Sequence, residues 1–263
     1  LQRVYEETVS HMLSYLHATT GNPRLAMAGG SAMNSVYNGK IIETTPFEEV
    51  FIPSCPDDSG VSVGAALYAY HCLLGGQDRY IQEHNNWGPS YSRDQIDETL
   101  RQYKISAERH NDIARIAATL LSEGKLIGWY QGAMEFGQRA LGNRSILADP
   151  RDVRSKDLIN SAVKYRESFR PFAPSILEEH ASEYFEYPVG DTVNFMEKVY
   201  PIRKDKRDLI PAVVHVDGSG RLQTVSKKTN PKFYRLIEEF EKISKIPILL
   251  NTSFNLNGEP IVC

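Results

Sequence analysis

Two arginines and three glycines share one short stretch, Gly132 to Ser145 (GAMEFGQRALGNRS). Glycine lets backbone N–H groups approach a ligand closely, and arginine supplies a planar, permanently charged fork for phosphate or carboxylate oxygens. Glu135 stands where it could orient one of those guanidinium groups. A second basic cluster, Lys164 to Pro174 (KYRESFRPFAP), interleaves Lys164, Arg166 and Arg170 with aromatics and prolines. Proline restricts the backbone and aromatics bury it, so this pattern suits a rigid wall that holds cations toward an anion. The third basic place is Arg221, which follows the turn Asp217-Gly218-Ser219-Gly220, and the chain near its end carries Asn251-Thr252-Ser253 after the apolar run Pro247 to Leu250. Fixed cations at three places and neutral donors at a fourth suit a multiply charged substrate, because phosphoryl chemistry depends mainly on positioning and charge stabilisation. The plainer alternatives are a glycine turn with surface arginines, a proline corner with ion-paired Arg166 and Arg170, and a strand-ending Asx turn. His215, on the strand before Arg221, reads as a structural histidine.

The first half offers less. Ala28-Gly29-Gly30-Ser31-Ala32-Met33-Asn34 is a glycine turn between a short strand and a helix, an order that recurs at nucleotide sites. Asp57-Asp58-Ser59-Gly60 precedes a helix, so Asp58 reads either as a cap or as a metal ligand. The seven histidines include no closely spaced pair to complete a metal site.

These residues need elements to hold them. Helical spacing of Leu1, Val4, Tyr5, Met12, Leu13 and Leu16 predicts a helix over 1–17, stopped by Gly21-Asn22-Pro23. Strands are expected at 24–28, 50–52, 125–131, 212–216, 222–225 and 247–250. Helices are expected at 32–37, 60–74, 111–122 and 231–244, that at 60–74 (GVSVGAALYAYHCLL) as a buried one. Composition shifts over 75–91 to Gly, Asn, Gln, Pro and aromatics, which predicts a boundary between residues 1–90 and 91–263. Helices and strands alternate in both parts, so the fold class is α/β (α+β).

Bulk properties limit the choices. The chain has 263 residues, 41% of them hydrophobic, enough for one large or two ordinary domains. No apolar run is long enough to span a bilayer, and Leu1 to Ser10 does not resemble a signal peptide. Three cysteines without a C-x-x-C pair fit a reducing compartment, so the expected location is cytoplasmic. A net charge of -3 argues against nucleic acid as a partner. The chain lacks an initiator Met and ends in Glu259 to Cys263, which reads as a strand start, so a piece of something longer is expected.

The stretches AGGSAMN, IPSCPDDSGVSVGAAL, GWYQGAMEFGQRALGNRSILADPR, VKYRESFRPFAPSIL, HVDGSGRLQTV and PILLNTSFNLNGEPIV carry a family resemblance over most of the chain. It resembles the O-carbamoyltransferases of the nodulation-protein and antibiotic-tailoring type. That resemblance implies the C-terminal portion of an actin-like, Kae1-type domain (1–90) followed by a YrdC-like domain (91–263). It further implies ATP and carbamoyl phosphate as substrates, a carbamoyl adenylate intermediate, and transfer to a hydroxylated acceptor, with iron or another divalent metal in the intact first domain. By resemblance, Arg139, Arg170 and Arg221 contact the phosphates and carbamoyl phosphate, with Asn251 and Ser253 completing the pocket and Lys164 and Arg166 as further candidates. Gly29, Gly30 and Asn34 match a nucleotide-facing turn, and Asp58 matches a metal-ligating aspartate. The paired histidine ligands have no counterpart here, so the expectation is adenylate formation without acceptor transfer; a homodimer is compatible. The alternatives are a threonylcarbamoyl-adenylate synthase, a maturation carbamoyltransferase, or an RNA-binding module.

Overall fold

The structure is a computed structural model that describes residues 1–167, 169–188 and 191–263. Ser168, inside the second basic cluster, lies outside the described residues. The chain opens with α1 (Gln2–Thr20), closed by Gly21 in the left-handed region at φ 64. A parallel pair of short strands, β1 (Arg24–Ala26) and β2 (Glu49–Phe51), lies beside it. Between them run a 3-10 turn (Gly30–Met33), α2 (Ser35–Asn38) and α3 (Ile41–Thr44). The helix expected over 32–37 is broken at Asn34, whose side chain caps α2 by accepting from the Tyr37 N–H at 3.2 Å. Leu13, Leu25, Tyr37, Ile41 and Phe47 form the small core of this part.

The next helix corrects an expectation. α4 (Val61–Tyr68) and the π turn Ala69–Leu73 occur where a helix was expected, but they are not buried. Val61 is 66% exposed and Leu73 70%. An apolar helix is buried only when a neighbour presents a matching face, and the substantial contacts of α4 are with its own flanking turns. Residues 75–91 lack regular structure but are not a free linker. Gly88 N–H donates to Met134 O (2.9 Å), Met134 N–H to Pro89 O (2.9 Å) and Phe136 N–H to Asn85 O (2.7 Å), laying the segment along the glycine-arginine loop. α5 (Arg93–Gln102) follows, started by a reciprocal capping box between Ser92 and Gln95.

The remaining elements are α6 (Ile113–Ser122), β3 (Ile127–Tyr130), β4 (Arg144–Ala148), α7 (Val153–Leu158), β5 (Ala173–Leu177), α8 (Ala181–Tyr184), β6 (Val199–Pro201), β7 (Ser219–Arg221), β8 (Gln223–Val225), α9 (Pro231–Ser244) and β9 (Ile248–Ser253). A five-stranded mixed sheet runs β3-β4-β9-β5-β8, parallel only between β5 and β8. β6 and β7 form a separate antiparallel pair. α9 begins as its residues dictate, with Asn230 accepting from Phe233 N–H and Pro231 in the first turn. Its Phe233, Leu236, Ile237 and Phe240 are fully buried beside α6 and the sheet. Burial of such side chains contributes about 1.5 to 3 kcal/mol each.

Two expectations fail locally, and a third is met with a shifted start. The strand expected over 212–216 is a 3-10 turn, Pro211–Val213, because proline opens it without a ladder N–H. The strand expected over 222–225 is present as β8, which starts one residue later because the chain changes sheets at Leu222. Glu259 to Cys263 forms no strand; Val262 N–H donates to Phe254 O (3.0 Å) and its carbonyl accepts from Arg144 Nη1 (3.2 Å). The class is mixed α/β. Among the described residues, no helix is long and apolar enough to cross a membrane.

Candidate active site

The loop joining β3 to β4 is organised from within by Glu135, which is fully buried. Its Oε1 accepts the N–H groups of Leu141 (2.7 Å), Asn143 (2.9 Å) and Arg144 (3.4 Å), and its Oε2 accepts Arg144 Nε (3.0 Å). Glu135 therefore orients Arg144, and Arg144 stays with it, donating Nη2 to the Glu135 carbonyl at 2.6 Å. The other arginine of the loop is released. Arg139 makes no hydrogen bond or ion pair with any described residue and lines a cavity of about 410 Å³.

Four separate stretches meet on that cavity. Arg139 comes from the β3–β4 loop, Arg166 and Arg170 from the approach to β5, Arg221 from the end of β7, and Asn251 and Ser253 from the end of β9. β9 runs through Ser253 because Ser145, Ile146, Leu147 and Ala148 of β4 pair along it, which places its polar end beside the arginine loop. Arg166 stacks on the Phe172 ring at 4.6 Å and donates Nε to Asn160 Oδ1 at 2.8 Å. Arg170 pairs with Glu167 at 3.0 Å. Arg221 donates Nε (3.0 Å) and Nη2 (2.6 Å) to the hydroxyl of Ser35, at the start of α2.

The electrostatics are those of crowded cations. Burial pushes the Arg221 guanidinium down to about 10, helped by Arg139. Burial also lowers Arg139, against the pull of Asp57. Arg166 is lowered by burial and then by Arg170. Guanidinium remains charged at neutral pH, so these shifts record mainly the cost of burying its charge, with a neighbouring cation adding to it at Arg221 and Arg166.

Other expected site residues lie elsewhere. Lys164 does not line the cavity: its Nζ donates to Ser253 O (2.7 Å), Ser253 Oγ (3.1 Å), Asn255 O (2.9 Å) and Asn255 Oδ1 (2.7 Å). An ammonium with three donors is saturated by these four oxygens, so Lys164 clamps the end of β9. Burial, then Arg166, pushes it down to about 8. Gly29 and Asp58 line a separate, larger, mostly apolar cavity of about 870 Å³. Gly30 starts the 3-10 turn and Asn34 is a helix cap bonded to Gln2. Asp58 is exposed. Among the described residues, no group of three or more His, Cys, Asp or Glu side chains could hold a metal ion. One exposed carboxylate does not fit an iron centre.

Residues not foreseen also belong to the wall, among them Ser35, Gln138 and His215. His215 lies in a loop, not on a strand. Its place in the HVDGSGR block with Arg221 was the available signal; Ser35, adjacent to Asn34, offered none that could name its partner.

Comparison with known proteins places this geometry in context. Residues 1–67 match the family described as Carbamoyltransferase N-terminus, and residues 118–263 match Carbamoyltransferase C-terminus. Nodulation protein NolO of Bradyrhizobium diazoefficiens is 47% identical over 266 residues, taking in 100% of this chain and 48% of the relative. Nodulation protein NolNO of Sinorhizobium fredii is 46% identical over 266 residues, covering 100% of this chain and 39% of that protein. The chain thus spans less than half the length of these two relatives. A crystal structure of full-length HypF in the phosphate- and nucleotide-bound form aligns at a TM-score of 0.39 with 16% identity, over 60% of this chain and 19% of that one. On the family matches, the chain belongs to the carbamoyltransferase family.

Proposed function

We propose that the arginine-lined cavity is the site where carbamoyl phosphate and ATP are converted to carbamoyl adenylate, with one water consumed and phosphate and pyrophosphate released. The carbamoyl group then passes to a hydroxyl of a small-molecule or sugar acceptor. On this reading residues 91–263 are the YrdC-like, adenylate-forming part, and residues 1–90 belong to the actin-like transfer part. The observation that supports it is the convergence of Arg139, Arg166, Arg170 and Arg221 with Asn251 and Ser253 on one concave wall. Neither substrate nor product can be bound there without several anionic oxygens meeting fixed guanidinium groups, and charge of that kind develops in the transition state. Arg139, which has no hydrogen-bonding partner among the described residues, is the group most open to a ligand phosphate. Arg221 is held by Ser35 at a fixed angle, which preorganises it. Asp58 is assigned no chemical step.

The test is exchange of labelled pyrophosphate into ATP. Exchange should require carbamoyl phosphate and should fall at least about tenfold in Arg139→Ala and Arg221→Ala, since one charge-assisted hydrogen bond is worth about 1.5 to 3 kcal/mol. Exchange that ignores carbamoyl phosphate, or survives both substitutions at full rate, would refute the reading.

A further inference from the structure

We infer that Asn85 is a positioning residue for Arg139: it clasps the Phe136 peptide from outside the arginine loop and so sets where the loop presents that guanidinium. The inference rests on the proposed function. It gives a part in it to the connection 68–117, which lies between the two family-matched stretches.

Arg139 makes no hydrogen bond or ion pair with any described residue, so its place in the cavity wall comes from its backbone. On the downstream side that backbone is held within the loop, by Glu135 Oε1 on the N–H groups of Leu141 and Asn143. On the upstream side the hold comes from elsewhere in the chain. Asn85 is 2% exposed, its carbonyl accepts the Phe136 N–H at 2.7 Å, and its Nδ2 donates to Phe136 O at 2.9 Å. One residue thereby grips both backbone polar groups of another, which fixes the orientation of the chain there as well as its position. A carbonyl oxygen only accepts, so the amide nitrogen of Asn85 is the atom that faces it.

Nothing nearby duplicates this clasp. Cys55 Sγ also lies 2.9 Å from Phe136 O, but a thiol is a weak donor. Gly137, the next residue, has φ 113 and no side chain to steady the turn, and only Gln138 separates it from Arg139. A swing of the Phe136 peptide would therefore pass to Arg139 almost undamped. Asn85 is itself anchored on both sides. Gln82 Nε2 donates to Ser54 Oγ (2.9 Å), Trp87 N–H to the Asn85 carbonyl (2.9 Å), and Gly88 N–H to Met134 O (2.9 Å). The connection is thus fixed to the first part of the chain and to the loop, and Asn85 carries that fixed frame to the arginine. Misplacing a reacting group by about 1 Å can cost about a hundredfold in rate.

The experiment is a double-mutant cycle read by carbamoyl-phosphate-dependent pyrophosphate exchange, with urea midpoints measured alongside. Asn85→Ala should lower exchange at least about fivefold in the parent chain and less than about twofold in the Arg139→Ala chain, because there the arginine it positions is gone. The shift in urea midpoint should be the same in both backgrounds. A purely structural role would lower exchange by the same factor in both, and that result overturns the inference. Full exchange in Asn85→Ala, with Arg139→Ala impaired, also overturns it and leaves the proposed site standing. Full exchange in Arg139→Ala instead refutes the proposed site. Should Asn85→Ala not fold, Asn85→Asp goes through the same cycle with the same expected outcomes at pH 8, since its carboxylate keeps the volume and cannot donate to Phe136 O.

Discussion

Replacing Glu135 by alanine tests whether the arginine loop is held as described. The carboxylate is 0% exposed and its partner Arg144 8% exposed, so the substitution leaves a buried cation without its counter-charge. Breaking a buried pair in this way costs about 3 to 5 kcal/mol. The backbone N–H groups of Leu141 and Asn143 lose acceptors at 2.7 and 2.9 Å, and each buried donor left unpaired adds about 1 to 3 kcal/mol. Arg144 keeps the Glu135 and Val262 carbonyls, which places the pair term near its lower end. The sum, about 5 kcal/mol or more, is comparable to the whole stability of an ordinary domain. Glu135→Gln retains a neutral acceptor oxygen and should lose roughly 2 kcal/mol. Urea denaturation followed by circular dichroism gives both numbers from the midpoint and slope. Pyrophosphate exchange should drop in both variants, because Arg139 sits between the anchored ends of the loop. A Glu135→Ala protein within 1 kcal/mol of the parent, with exchange intact, would refute the reasoning.

Glu197, beside the loop at Met196, is pushed up to about 7 by burial, only partly offset by nearby N–H groups and Lys198. The folded chain then holds a proton between about 4.5 and 7 that the unfolded chain has released, so this contribution is present at low pH and lost as pH rises through 7. Glu197→Gln should therefore be more stable than the parent at pH 8, by about 1 to 2 kcal/mol after discounting for residual solvent contact, with little difference at pH 4.5. Lys164 behaves in the opposite sense. With its folded value near 8 and its ordinary value 10.5, the unfolded chain binds more protons between them, and stability relative to Lys164→Met should rise with pH across that window; urea midpoints at pH 8 and 10 measure it. Gly137 adopts φ 113, and a Cβ there would lie 2.1 Å from Cys55 Sγ. Gly137→Ala should cost about 2 kcal/mol or more, and adding Cys55→Ala should recover the steric part but not the backbone part.

What could be read in advance depended on how local the cause was. α9 was legible to the residue, because Pro231 starts it and Phe233, Leu236, Ile237 and Phe240 recur at helical spacing. β4 and β5 were not. Arg144 to Ala148 continues a glycine loop and Ala173 to Leu177 contains Pro174, a residue usually kept out of central strands, so only pairing with β9 reveals them. The helix at 61–68 showed the converse: its apolar composition predicts burial, but burial requires a partner face. Arg139, Arg170 and Arg221 were identifiable from charge among glycines, aromatics and turns, and they share one wall. Arg144 and Lys164 carry the same charge but are held by Glu135 and by the end of β9, which only coordinates distinguish. Ser35 reaches Arg221 across 186 residues of sequence, beyond any local pattern.

The most direct measurement is a crystal structure of the chain with carbamoyl phosphate and a non-hydrolysable ATP analogue. The account expects phosphate oxygens within hydrogen-bond distance of the Arg139 and Arg221 guanidinium groups. Ligands bound at another site, with those arginines facing only water, would contradict it.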